Sequence, residues 1–170
     1  LLIHGPELEV SELAEKIWYP LWDAGLKLGH QVGTIDQIAE VAYENLDMAT
    51  SLLAARLVAG NGELIEELSL KARDQWVNKS FHYLSELNNS VITRHQKFGE
   101  VAFLLEPDLK EARGGLRDVH VLKWVEESEK VLRGQENKVL EEAFETLLEV
   151  RVELHRETGR RSDRLLLELQ

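Results

Sequence analysis

GELIEELSLKARDQWVNKSFHYLSELNNSVITRHQKFG, residues 62–99, decides the fold class. It is almost continuously compatible with helix and closes on a glycine, the residue that most readily takes the left-handed backbone at a helix end. The pattern predicts one or two long helices ending near Gly99. At that end Arg94, His95 and Lys97 place positive charge where the helix dipole favours it.

Working towards the N-terminus, DMATSLLAARLVAG (47–60) predicts another helix ending at Gly60. TIDQIAEVAYEN (34–45) predicts a helix capped by Thr34, with Asp36 and Gln37 early and Ile35, Ile38, Val41 and Ala42 on one face. GLKLGHQV (25–32) alternates Leu26, Leu28, His30 and Val32 at period two, which predicts a half-buried strand. SELAEKIWYPLW (11–22) predicts a helix with Ser11 as its cap, Glu15 in its first turns and Leu13, Ile17, Trp18 and Leu21 at helical spacing. Pro20 is expected to end or bend it. Leu1 to His4 reads as the end of a strand closed by Gly5 and Pro6.

Towards the C-terminus, VAFLL (101–105) reads as a strand or buried turn. Asp118 is expected to begin a helix carrying Val119, Leu122, Val125 and Val131, and another from Val139 carries Leu140, Phe144, Leu147, Arg151 and Leu154 to an end near Gly159. RSDRLLLELQ (161–170) predicts a last helix capped by Ser162 or Asp163. The expected class is therefore α+β and predominantly α-helical, with a strand, helix and strand at the start. No fixed-period repeat is visible. The four tryptophans, Trp18, Trp22, Trp76 and Trp124, fall within apolar faces and read as core anchors.

Composition narrows the function. With 170 residues, 44% hydrophobic and 30% charged, the chain has the balance of a soluble globular protein, and no apolar run approaches a membrane span. The absence of cysteine removes disulfides and thiolate chemistry, which suits a cytoplasmic location. A net charge of −11 argues against a broad grip on nucleic acid but leaves room for a small phosphate-bearing ligand held by a few local cations. The six histidines show no metal-ligand spacing, and no catalytic triad or carboxylate pair is picked out.

One polar stretch interrupts the apolar periodicity: EPDLKEARGGLRDVH, residues 106–120. Gly114 and Gly115 permit positive φ and close approach of backbone amides to a ligand, Lys110, Arg113 and Arg117 add cations, and Asp118 is placed to cap the following helix. Two readings stay open on these residues. One is an anion site; the other is a glycine turn before a capped helix, with Arg117 paired to Glu106 or Asp108. Neither a Walker loop nor a dinucleotide fingerprint is present.

Three blocks in order resemble one family, the bacterial PII uridylyltransferases: YPLWDAGLKLGHQVGT (19–34), EPDLKEARGGLRDVHVLKW (106–124) and HRETGRRSDRLLLELQ (155–170). The resemblance implies a nucleotidyltransferase of the polymerase-β type that moves UMP from UTP, or AMP from ATP, to a tyrosine of the PII signal protein with magnesium. It also implies that residues 1–33 are the C-terminal part of the nucleotidyltransferase domain, a remnant of its sheet, and 34–170 a helical domain. The nucleotide-binding residues expected from it are Lys110, Gly114, Gly115, Arg117 and Asp118, with Lys110 and Arg117 neutralising triphosphate charge and Asp118 orienting Arg117 or capping its helix.

LLIH at the start is similar to the tail of the family's Asp-x-Asp strand, so the magnesium ligands are expected upstream and the 170 residues alone are expected to be inactive. Gly33 stands where the family often has arginine, Arg113 is an addition within a GPGG-like run, and the connection at 133–137 is short for the family. Alternative readings are the related nucleotidyltransferases fused to cyclic-nucleotide-binding or CBS modules, and a helical interaction module without nucleotide.

Overall fold

A computed structural model describes residues 1–5 and 9–170, so the expected strand closure at Pro6 falls outside the described residues. The chain forms two compact units, Leu1–Asn78 and Lys79–Gln170. Its class is the expected one, predominantly helical with a small parallel sheet. No described helix is long and apolar enough to cross a membrane.

In the first unit, β1 (Leu2–Ile3) pairs in parallel with β2 (Val32–Gly33), Leu2 opposite Val32 and Ile3 opposite Gly33. Parallel neighbours require a crossover, and α1 (Ser11–Asp23) supplies it. Ser11 is not its cap: it is the first helical residue, and its hydroxyl donates to Glu9. Pro20 does not stop the helix, because near the C-terminal end its missing N–H removes a single intrahelical bond. The stop comes from Gly25 at φ +78: Gly25 N–H donates to the Trp22 carbonyl at 2.8 Å and Leu26 N–H to the Leu21 carbonyl at 3.1 Å, the paired bonds of a Schellman motif.

Gly25 therefore closes a helix, where the alternation had placed the start of a strand. Of residues 25–32 only Val32 joins the sheet, and Leu26 and Leu28 are exposed. Period two shows which side chains share a face; it does not supply a hydrogen-bonded neighbour.

Thr34 caps α2 (Ile35–Glu44) as expected, in a reciprocal box where Gln37 N–H donates to the Thr34 hydroxyl and Thr34 N–H to the Gln37 side chain. Asn45 caps α3 (Leu46–Leu53) through Met48 N–H at 2.9 Å. That helix ends well before Gly60: after Leu53 the amides of Ala54 and Ala55 turn back to Ser51 and Leu52, and Asn61 accepts from Glu63 N–H to start α4 (Gly62–Asn78). The apolar pattern of residues 54–60 continues past the helix, but its side chains find no core, and Val58 is 89% exposed.

The three helices α2, α3 and α4 pack together around Ile35, Ile38, Ala42, Leu52, Leu68 and Trp76. Alanines 39, 42, 49 and 72 are buried between them, allowing the backbones to approach. Trp76 is 1% exposed and a core anchor as expected, whereas Trp18, Trp22 and Trp124 are half-buried.

The second unit begins with α5 (Ser80–Phe98), so residues 62–99 are two helices, parted where Lys79 takes φ −115 and ψ 20. Gly99 ends α5 at φ +70. Residues 101–103 form a 3-10 turn with Phe103 exposed, so this segment is neither strand nor buried. α6 (Leu116–Glu129) packs on α5 and on α7 (Gly134–Thr158). α7 starts ahead of Val139 because Glu136 accepts the Arg133 N–H at 2.7 Å, and Val131, expected on the α6 face, lies beyond that helix and is exposed.

Residues 161–170 do not form the expected capped helix. Their backbone pairs instead with the 105–109 segment: Leu109 N–H donates to the Asp163 carbonyl at 2.7 Å and Leu165 N–H to the Pro107 carbonyl at 2.9 Å. The Asp163 carboxylate accepts from Arg151 Nε at 2.6 Å, and Arg164 pairs with Glu106 at 3.0 Å. Only Leu167–Leu169 closes a 3-10 turn.

Candidate functional site

The polar stretch begins with a side chain that shapes its own backbone. Asp108 accepts the amides of Lys110 at 3.0 Å and Glu111 at 2.7 Å, an Asx turn that reverses the chain after Pro107. Leu109, Ala112 and Leu116 are then buried while Lys110 and Arg117 emerge. Arg113 ties the loop to the end of α5, donating its N–H to the Gly99 carbonyl at 2.8 Å and accepting from Val101 N–H at 2.9 Å.

The two glycines do different jobs. Gly114 takes φ +84, where a side chain is strained. Gly115 is the N-cap of α6 with an ordinary φ of −88; a Cβ there would meet the Leu109, Ala112 and Lys110 carbonyls at 2.8, 2.9 and 3.0 Å. It is needed for close packing of backbone on backbone.

The amides expected to face an anion are already engaged. Gly114 N–H donates to the Asp118 carboxylate at 2.8 Å, Gly115 to Ala112, Leu116 to Leu109, Arg117 to Lys110 and Asp118 to Gly115. The start of α6 is satisfied from within, so the loop has side chains rather than free amides to offer a ligand.

Asp118 does not orient Arg117. Its carboxylate accepts from the Arg94 guanidinium and from His95 Nε2 at 2.9 Å, while Arg94 Nη1 also donates to the Glu111 carbonyl at 2.7 Å. Burial works to raise the Asp118 pKa, but hydrogen bonds from Gly114, Arg94 and His95 outweigh it and hold the carboxyl below the usual aspartate range. Arg117 lies near Glu111, 3.6 Å from Oε1, and Lys110 pairs with the same oxygen at 2.9 Å, so neither Glu106 nor Asp108 is the partner expected for Arg117. Glu111 is likewise kept ionised: burial opposes its charge, and Lys110, Arg117 and Arg94 favour it.

Lys110 and Arg117 therefore meet over one carboxylate, with side chains about a quarter and a third exposed. His120, one turn along α6, has its pKa lowered first by burial and then by Arg117, Lys123 and Lys110. Three cations thus bear on one patch, and a phosphate group there would have to compete with Glu111. Glu111 carried no motif of its own in the sequence. Arg94 and His95 were legible as cations at a helix end, but their partner, more than twenty residues away, was not. No three acidic or histidine side chains converge to hold a metal among the described residues, and Asp118, the one acid of the predicted set, is committed to cations. The described residues do not fit a magnesium site.

A locked glycine loop at the start of α6, in a predominantly helical chain, is the frame into which the comparisons fit. They define a class first, that of uridylyltransferase-related chains. The sequence model of the family described as GlnD PII-uridylyltransferase matches residues 82–170, which includes the whole loop and the tail folded onto it, and the chain belongs to that family. The bifunctional uridylyltransferase/uridylyl-removing enzyme of Streptomyces coelicolor is 42% identical over 100% of this chain and 20% of its own length. Proteins of the same name from Mycobacterium tuberculosis and Nitrosococcus oceani are 37% and 36% identical over 98% and 88% of this chain, 22% and 18% of theirs. The chain thus spans about a fifth of the length of these relatives. No solved structure matches it.

Proposed function

We propose that the chain is part of a nucleotidyltransferase that moves UMP, or AMP, from a nucleoside triphosphate to a tyrosine of the PII signal protein in the cytoplasm. Residues 1–33 would be the end of its nucleotidyltransferase domain and 34–170 a helical domain. Membership of the GlnD PII-uridylyltransferase family carries this reading. In it, Lys110 and Arg117 exchange Glu111 for triphosphate oxygens, and Gly114, Gly115 and Asp118 act by fixing the loop that presents them. Magnesium, when bound, would stabilise the charge on the leaving pyrophosphate. The described residues offer it no ligand set, so the 170 residues alone are expected to transfer nothing.

The test is made on the full-length protein. Lys110→Ala and Arg117→Ala should each weaken binding of UTP or ATP and slow modification of PII, by on the order of tenfold for loss of a charged contact. Unchanged affinity and turnover in both variants would remove these residues from the site. One observation favours a second reading, a helical interaction module that binds no nucleotide: every backbone amide from Gly114 to Asp118 is already satisfied. A wild-type protein that binds PII but no nucleotide would support it.

A further inference from the structure

Glu111 has its backbone pinned on both sides by side chains. Its N–H donates to the Asp108 carboxylate at 2.7 Å, and its carbonyl accepts from Arg94 Nη1 at 2.7 Å. The Arg94 side chain is only 9% exposed and also holds Asp118, so this anchor is set inside the fold. The Glu111 carboxylate lies 2.9 Å from Lys110 Nζ and 3.6 Å from Arg117 Nη2, and neither cation has a second ion-pair partner among the described residues. The side chain is partly exposed, which leaves the carboxylate a way out to solvent by rotation about its own bonds while the backbone stays in place.

A carboxylate between two cations presents the kind of acceptor oxygens that a phosphate group would. Burial opposes its charge, but Lys110, Arg117 and Arg94 keep the group below the usual glutamate range, so it is ionised at neutral pH. An anion takes both cations only once Glu111 has left them, and its apparent affinity is reduced by the fraction of molecules in which the pair is open. That reduction bears on every ligand that uses the pair. A nucleoside triphosphate has a base and a sugar with which to make further contacts, whereas pyrophosphate has only its oxygens, so the reduction matters most for the product.

We propose that Glu111 is a built-in competitor for the Lys110 and Arg117 patch, a role that rests on the nucleotidyltransferase reading above and adds to it a control on product release. The carboxylate swings out when phosphate oxygens arrive and returns to the cations when pyrophosphate leaves. Its pinned backbone brings it back to the same place each time.

The experiment is titration calorimetry of the full-length protein with pyrophosphate, UTP and ATP. Glu111→Gln, which keeps the shape and removes the charge, should tighten pyrophosphate about three- to tenfold, between the effects of an exposed ion pair and of a charge-assisted hydrogen bond, and the bound nucleotide by a similar factor. Glu111→Asp, charged but shorter, should fall between the Gln variant and wild type. Combined with Lys110→Ala and Arg117→Ala, Glu111→Gln should change nothing further, because both of its partners are gone. Thermal melting checks that each variant is folded; a merely structural role for Glu111 would lower affinity on substitution and could not raise it. Wild-type or weaker pyrophosphate affinity in Glu111→Gln, with Lys110→Ala and Arg117→Ala still weakening nucleotide binding, overturns this inference and leaves the proposed function standing. A tightening that survives in the combined variant also overturns it, since the effect then does not pass through the patch. Affinities indifferent to all of these substitutions overturn both this inference and the placement of triphosphate at Lys110 and Arg117.

Discussion

At the scale of the residue, two adjacent glycines that look alike in sequence are distinguished by what surrounds them. Gly114→Ala places a side chain at φ +84 with open space around it, and should cost about 1–2 kcal/mol in stability. Gly115→Ala drives a methyl into three carbonyl oxygens, so the loop or the start of α6 must shift, at roughly 1–3 kcal/mol and with loss of the Lys110 and Arg117 placement. Chemical denaturation of the two variants, read beside nucleotide affinity, separates them: only Gly115→Ala should change both. Asp118 gives a pH-dependent counterpart. Its folded pKa is depressed, so its contribution is complete above the usual aspartate range and is lost as pH falls through the lowered value. The stability difference between wild type and Asp118→Asn should be constant near neutrality and shrink on acidification. Glu111 and Asp163 shift in the same direction, and taking the difference between the two proteins largely removes them. A difference that grows in acid would contradict the hydrogen-bond network drawn around Asp118.

At the scale of the element, local signals located a boundary where its determinants lie within a turn and missed it where they do not. Thr34 with Gln37 marked α2 because both halves of the capping box lie within four residues. The end of α3 was missed because the apolar pattern runs on through Leu57 and Val58, and only the fold shows that nothing covers them. The tail was missed for a related reason. Ser162 and Asp163 have the composition of a helix cap, but Arg151 takes the Asp163 carboxylate and the 107–109 backbone pairs with the Asp163 carbonyl and the Leu165 amide. Asp163→Ala should therefore release the strap without unfolding α7. Hydrogen exchange at the Leu109 and Leu165 amides should quicken while that of mid-α7 is kept. Unchanged protection at Leu109 and Leu165 would show that the backbone pairing stands without the ion pair.

At the scale of the whole molecule, Leu1–Asn78 and Lys79–Gln170 each enclose their own core, the first around Ile38, Leu68 and Trp76, the second around Tyr83, Leu87, Leu116 and Leu154. Residues 79–170 expressed alone should be helical by circular dichroism and melt in one cooperative transition; a gradual, non-cooperative loss of signal would show that the core is not self-sufficient. The sequence by itself determined the helical class, the α2 cap, the glycine at the end of α5, the close of α7 near Gly159 and the polar loop before α6, because each is written in residues within a turn or two of one another. It also carried the family resemblance. Only the tertiary structure decided that residues 25–30 stay out of the sheet, that Gly115 is pressed by three carbonyls, that Asp118 answers Arg94 and His95 rather than Arg117, and that the tail folds back on residues 105–109. Those outcomes depend on groups brought together from distant parts of the chain. Periodicity and capping record a residue's near neighbours along the backbone, whereas a carboxylate chooses its cation, and a backbone amide its carbonyl, by what packing places within about 3 Å.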